Sequence, residues 1–72
     1  MKTTSYIATY SYNAGLLGAS KYFETEAEAR QFEQEYKNMN DCDKYFKLVK
    51  VTVEGFFRKK LYTETLTEWD EL

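Results

Sequence analysis

One segment, from Thr25 to Met39, has the periodicity of a helix, and it restricts the fold more than any other feature of the sequence. Thr25 and Glu28 have the spacing of a capping box, in which each side chain accepts from the other residue's backbone N–H. Four apolar residues then recur every three or four positions and form one stripe: Ala29, Phe32, Tyr36 and Met39. We expect this stripe to face the core.

The other side of this helix is polar, and we expect it to be exposed. Its residues are Glu26, Arg30, Glu33, Gln34 and Lys37. Asn38 or Asn40 is expected to end the helix in a left-handed conformation, which asparagine tolerates better than most residues.

The segments on either side of the helix alternate in the way that β-strands do. Before the helix, the alternation predicts strands over 4–12 and 16–23, joined by a turn at Asn13-Ala14-Gly15. After the helix, it predicts a strand over 44–54 that turns at Glu54-Gly55 and returns over 56–63.

The C-terminal segment has two interpretations. Thr65 and Glu68 repeat the capping-box spacing, and Leu66, Trp69 and Leu72 recur every three residues, which predicts a short helix. A further strand over 62–66 is the alternative.

Two strands, a helix and two strands predict a single α+β domain over residues 1–72. An antiparallel sheet of about four strands would carry the helix on one face. We expect five aromatic residues to fill the core: Phe23, Phe32, Tyr36, Phe46 and Phe57.

Apolar residues change parity inside the third strand. Phe46 and Leu48 share one parity, and the other parity is taken by Val49, Val51 and Val53. This pattern predicts either a bulge near Leu48–Val49 or a first half that is covered on both faces.

The composition argues against catalysis. The chain has no histidine, which removes the commonest acid–base group and the commonest metal ligand. Its one cysteine, Cys42, lies between Asp41 and Asp43, whose negative charges disfavour a reactive thiolate. We expect no enzymatic activity, no cofactor and no metal site.

A single cysteine also excludes an internal disulfide. The first twelve residues contain no apolar run of the kind found in signal peptides, and no segment approaches the ~20 apolar residues needed to cross a bilayer. We therefore expect a cytoplasmic protein that has no contact with membranes.

The formal net charge of −2 hides a segmental pattern. The helix and the C-terminal segment are acidic, whereas the segment over 41–60 is basic. Aromatic residues are abundant, with seven Tyr, five Phe and one Trp, which is more than a small core is expected to absorb. Tyrosine suits half-exposed faces and interfaces, so we expect a binding surface.

Two groups of residues are the candidates for that surface. One is a tyrosine-rich sheet face, formed by Tyr6, Tyr10, Tyr12 and Tyr22. The other is the acidic tail, formed by Glu68, Trp69 and Asp70. Its indole is either a binding anchor or a side chain that closes the core, and closure of the core is favoured.

The sequence therefore predicts a non-catalytic protein-interaction module. Its short length and lack of catalytic groups are typical of small phage or mobile-element accessory proteins that bind and inhibit or modulate a host protein. The expected partner is a host enzyme or a nucleic-acid-processing complex, for example a defence nuclease. A homodimer is also compatible with so small a domain.

A nucleic-acid-binding domain is the alternative. Basic and aromatic residues alternate over 44–62, as they do in proteins that stack bases beside phosphate contacts. The candidate contacts are Lys47, Lys50, Arg58, Lys59 and Lys60.

Overall fold

A computed structural model describes residues 2–12, 17–39 and 44–71 of the chain. The elements are, in order, β1 (Lys2–Tyr12), β2 (Leu17–Phe23), α1 (Glu26–Lys37), β3 (Lys44–Glu54) and β4 (Lys60–Glu71). The strands form one four-stranded antiparallel sheet in the order β2-β1-β3-β4. The helix packs on one face of this sheet, which confirms the predicted α+β class.

The C-terminal segment is a strand, so of its two interpretations the strand is confirmed and the helix is wrong. β4 runs as far as Glu71 and pairs with β3 from end to end. Three threonines at alternate positions, Thr63, Thr65 and Thr67, favour an extended backbone, and β3 supplies hydrogen-bonding partners for it. The returning strand begins at Lys60, after the predicted start at Phe56.

The predicted irregularity at Leu48–Val49 is confirmed, but the extra residue lies in the neighbouring strand. Leu48 pairs with Thr67 and Val49 pairs with Thr65, so Leu66 of β4 has no partner in β3. β3 itself keeps its alternation. Its apolar residues therefore lie on the helix side in the first half of the strand and on the opposite side in the second half.

The core lies between α1 and one end of the sheet. Its buried apolar side chains are Ala8, Phe23, Ala29, Tyr36, Phe46 and Leu48. The rings of Phe46 and Trp69 stack with their centroids 5.6 Å apart, and Tyr10 meets Phe32 edge-on at 5.0 Å. Aromatic side chains from the helix and from β1, β3 and β4 thus form one cluster.

Three burial predictions differ from the structure. Phe57 was expected in the core but is fully exposed, because it follows Gly55 in the loop beyond the end of β3. Met39 lies past the last helical residue and is exposed. Glu33 was expected to be exposed but is buried, because it faces Trp69.

Both ends of the helix follow from local sequence. The hydroxyl of Thr25 accepts from the N–H of Glu28 at 3.2 Å and donates to its carboxylate at 2.9 Å. Asn38 is the C-terminal cap, in a right-handed conformation and not the left-handed one expected. Lys44, a buried residue at the start of β3, donates to the carbonyl oxygens of Lys37 and Met39 and so ties the helix end to the sheet.

Several predicted features lie outside the described residues: the turn over 13–15, the start of a strand at Leu16, Asn40, the Asp41-Cys42-Asp43 segment and Leu72. Within the described ranges, no helix has the length and apolar character needed to span a membrane.

Two phenylalanines with opposite burial give a direct test of this core. Phe46 is completely buried and touches the rings of Phe32, Tyr36 and Trp69, whereas Phe57 touches solvent. We expect Phe46→Ala to lower the free energy of unfolding by about 3–5 kcal/mol. Phe57→Ala should change it by no more than about 0.5 kcal/mol. Urea denaturation of both variants measures the difference, and equal losses would contradict this core.

Candidate functional site

The loop between β3 and β4 carries the most exposed apolar side chains in the described part of the chain. Phe57 is 101% exposed and Phe56 is 74% exposed. Arg58, Lys59 and Lys60 follow directly and are exposed as well. We call residues 55–60 the hairpin tip. Two uncovered phenylalanines beside three cations form a compact surface with both apolar and electrostatic character.

Gly55 shapes the hairpin tip. Its φ of 111° lies in the left-handed region, which residues with a Cβ rarely adopt. A Cβ at this position would also clash with the carbonyl oxygen of Arg58. The chain therefore turns tightly here, and Glu54 and Lys60 close the ladder on either side. The turn predicted at Glu54-Gly55 is confirmed.

The hairpin tip lies beyond the end of the acidic helix. The helix starts at Glu26, shortly after Phe23, which lies in the same row of the sheet as Lys50, and it runs from there towards Lys44. Lys50 is four residues from Glu54, which at about 3.3 Å per residue is about 13 Å along β3. Exposed charges are screened over about 8 Å at physiological ionic strength. The helix carboxylates therefore have little effect on the tip.

The cations of the hairpin tip form no ion pair with another described residue. In the described ranges, the ion pairs join Arg30 to Glu26 and Glu33 within the helix. Lys60 has Glu54 as its cross-strand neighbour, while Arg58 and Lys59 lie in the loop itself. The tip can therefore attract an anionic partner.

The four tyrosines predicted as one face are divided by the fold. Tyr6 and Tyr10 lie on the helix side, where both are half-buried and pack against the core. Tyr22 is exposed on the opposite face, where it pairs with Ile7. The backbone of Tyr12 pairs with that of Leu17.

The acidic tail is also divided, because a strand alternates its side chains between two faces. Trp69 points to the helix side, where its ring stacks on Phe46 and its Nε1 donates to Glu33 at 2.8 Å. Glu68, on the other face, accepts from the Tyr45 hydroxyl at 2.7 Å. Asp70 is exposed on that same face. Trp69 is thus a core residue, and its predicted ring of carboxylates does not form.

Three of the five predicted phosphate contacts come together. Arg58, Lys59 and Lys60 are neighbours in the hairpin tip. Lys47 and Lys50 are half-buried on opposite faces of β3, where the register places them beside Glu68 and Glu64.

Sequence reasoning missed the two phenylalanines because it placed both in the returning strand and assigned Phe57 to the core. The signal that could have found them is Gly55, since a tight turn at the end of a strand carries the next residues beyond the sheet. Adjacent aromatic residues in a short loop also cannot both reach a core that lies under the distant helix.

The comparisons with known proteins leave this surface to be interpreted from its geometry. No family model matches the chain, and neither a curated protein nor a solved structure matches it. Among the side chains in the described ranges, no group of three or more Asp, Glu or Cys could hold a metal ion.

The buried carboxylate of Glu33 offers a test of how the helix is held. It accepts from Trp69 Nε1 at 2.8 Å and from Arg30 at 3.1 Å. We expect Glu33→Ala to lower the free energy of unfolding by about 1–3 kcal/mol, because the indole N–H loses its partner. Glu35→Ala, an exposed change in the same helix, is the matched control. Similar losses in urea denaturation would contradict a structural role for Glu33.

The Tyr45 hydroxyl should titrate above its ordinary range. Its hydrogen bond to Glu68 raises its pKa, with smaller contributions from burial and from the charges of Glu68 and Asp70. This contact stabilises the fold below the ordinary tyrosine pKa of about 10 and is lost as the pH rises through the higher folded value. We expect Glu68→Gln to lower the pKa of Tyr45 more than Asp70→Asn does. NMR titration of the Tyr45 ring measures this, and an unchanged pKa in Glu68→Gln would contradict it.

Proposed function

We propose that the chain is a non-catalytic protein-interaction module that holds its partner through the hairpin tip. The observation that carries this proposal is the full exposure of Phe57 beside the largely exposed Phe56. Large aromatic side chains dominate binding energy when a partner buries them, and contiguous exposed apolar groups are uncommon on surfaces that bind nothing.

The chemistry of the hairpin tip defines the partner's site. Two phenylalanines call for an apolar pocket, and Arg58, Lys59 and Lys60 call for carboxylates around its rim. Complementary charge of this kind accelerates association and fixes orientation, while the buried rings supply most of the affinity. The partner is therefore a protein with an apolar pocket in an acidic surface.

The hairpin tip replaces the tyrosines and the tail as the anchor in this proposal. Tyr10 and Trp69 already pack in the core, so a partner could reach them only by displacing the helix. Phe56 and Phe57 need no such rearrangement.

We propose that the partner is a cytoplasmic host enzyme or nucleic-acid-processing complex, and that occupation of its pocket inhibits or modulates it. Small phage-type accessory proteins act in this way. The sequence supports this proposal because it has no histidine, so we expect no catalytic site.

Nucleic-acid binding is the second candidate, and the position of the hairpin tip favours it. Aromatic rings beside cations can stack bases and contact phosphates. The acidic helix begins about 13 Å along β3 from Glu54, which is more than the screening length of about 8 Å, so it does little to repel a polyanion at the tip. The net charge of −2 therefore does not oppose this candidate.

Cross-linking and capture from a host extract test the first candidate. We expect the double variant Phe56→Ser/Phe57→Ser to remain folded and to lose captured partner by about 30-fold or more, the loss typical of a hot spot. Tyr22→Ser is the matched control, because it removes another exposed aromatic side chain from a different surface. Equal capture by the double variant and the wild type would rule out the tip as the anchor.

Fluorescence polarisation with a labelled single-stranded oligonucleotide separates the two candidates. A protein-interaction module should show no binding at low salt. Nucleic-acid binding would instead appear as an affinity that falls steeply with added salt. It would also be lost in the triple variant Arg58→Gln/Lys59→Gln/Lys60→Gln. That result would replace the first candidate with the second.

A further inference from the structure

The sheet has a second face, opposite α1, that the helix does not cover. We call it the open face. In the second half of β3 it carries Val49, Val51 and Val53, whereas the helix side of the same stretch carries Lys50, Thr52 and Glu54. A sheet face in contact with water is normally the polar one. Here the charged residues lie on the helix side, beyond the end of the helix, and the valines lie on the open face.

The open face is uncharged around these valines. In register with them, β1 and β4 place only neutral side chains: Thr3, Ser5, Ile7, Leu61, Thr63 and Thr65. The helix side of the same rows has opposite charges next to each other, with Lys50 beside Glu64 and Glu54 between Lys2 and Lys60. The charges of this part of the sheet thus lie on the helix side, whereas the open face combines aliphatic side chains with uncharged Ser and Thr hydroxyls.

We infer that the open face is the interface of a homodimer, in which the sheets of two copies pack face to face. This inference is independent of the hairpin tip and of the function proposed for it. A dimer also explains the parity change in β3. The helix covers the apolar residues in the first half of the strand, and the second copy covers the apolar residues of the second half, on the opposite side.

The area of the open face reaches the lower limit of specific interfaces. Three strands about 4.8 Å apart, over nine residues of about 3.3 Å each, cover about 430 Å², and β2 raises this to about 500 Å² per copy. This area includes one opposite-charge pair, Lys47 beside Glu68, at the end of the face away from Val53. Two copies in full contact would bury about 1,000 Å², the size at which specific interfaces begin. Pleating and side chains increase the true area.

The lack of charge favours a second copy over other occupants. The three rows that hold the valines carry no charge, and the one charged row beside them pairs Lys47 with Glu68, so two copies of this face meet without net like-charge repulsion. Short β-branched side chains also suit the ~10 Å spacing of packed sheets. A chain of 72 residues has a small core, and a second layer of sheet adds the apolar burial that such a domain lacks.

Sedimentation velocity of the full chain over a range of concentrations tests the dimer. We expect the wild type to be dimeric and Val51→Lys to be monomeric, with a dissociation constant raised at least about tenfold. Thr52→Lys introduces the same charge at the next residue, on the helix side, and should remain dimeric. Circular dichroism establishes that each variant is folded.

A milder variant covers the case in which Val51→Lys does not fold. Val49→Thr/Val51→Thr keeps both the shape and the strand propensity and should still weaken the dimer. A monomeric wild type at every concentration overturns the inference, and so does a dimer that these variants leave intact. A dimer lost only in Phe56→Ser/Phe57→Ser would overturn it too, by locating self-association at the hairpin tip.

Discussion

The packing of α1 on one end of the sheet is the contact on which the rest of the structure depends. Phe32 and Tyr36 of the helix meet the rings of Tyr10 and Phe46, and Trp69 extends the cluster from β4. A helix of 12 residues is about 18 Å long, which is shorter than β3 or β4. The strands therefore continue beyond the helix, and this excess length places the hairpin tip away from the core and leaves the helix side uncovered in the second half of β3.

Polar contacts fix how the helix sits. The Tyr36 hydroxyl lies 2.7 Å from the Ser11 hydroxyl and donates to the Ser11 carbonyl at 3.2 Å. Glu33 accepts from Trp69, and Lys44 donates to carbonyl oxygens at the helix end. Each of these bonds joins the helix or its end to a strand and satisfies a polar atom at the edge of an aromatic cluster. Polar groups in such positions are costly to leave unpaired, so they also define one orientation of the helix.

This arrangement changes which aromatic residues are available for binding. Seven tyrosines and a tryptophan suggested an aromatic surface, but Tyr10, Tyr36 and Trp69 pack around Phe46 in the core. The most exposed apolar groups lie in the hairpin tip, and the open face carries half-buried valines. The two surfaces differ in chemistry, since the tip combines phenylalanines with cations and the open face is neutral around its valines. They are suited to different partners, an acidic protein pocket for the tip and a second copy for the open face.

The sequence by itself determined the elements whose signals are local. The Thr25 cap and the stripe of the helix, the bounds of β3 and the Gly55 turn depend on a few neighbouring residues and on backbone preferences. The tertiary structure decided what depends on distant partners. Trp69 lies in a strand because β3 supplies hydrogen-bonding partners for the backbone of β4. Glu33 is buried because β4 brings an indole N–H to it. Phe57 is exposed because it lies beyond the part of the sheet that the helix covers. Capping and alternation are properties of a short segment, whereas burial depends on which segments meet.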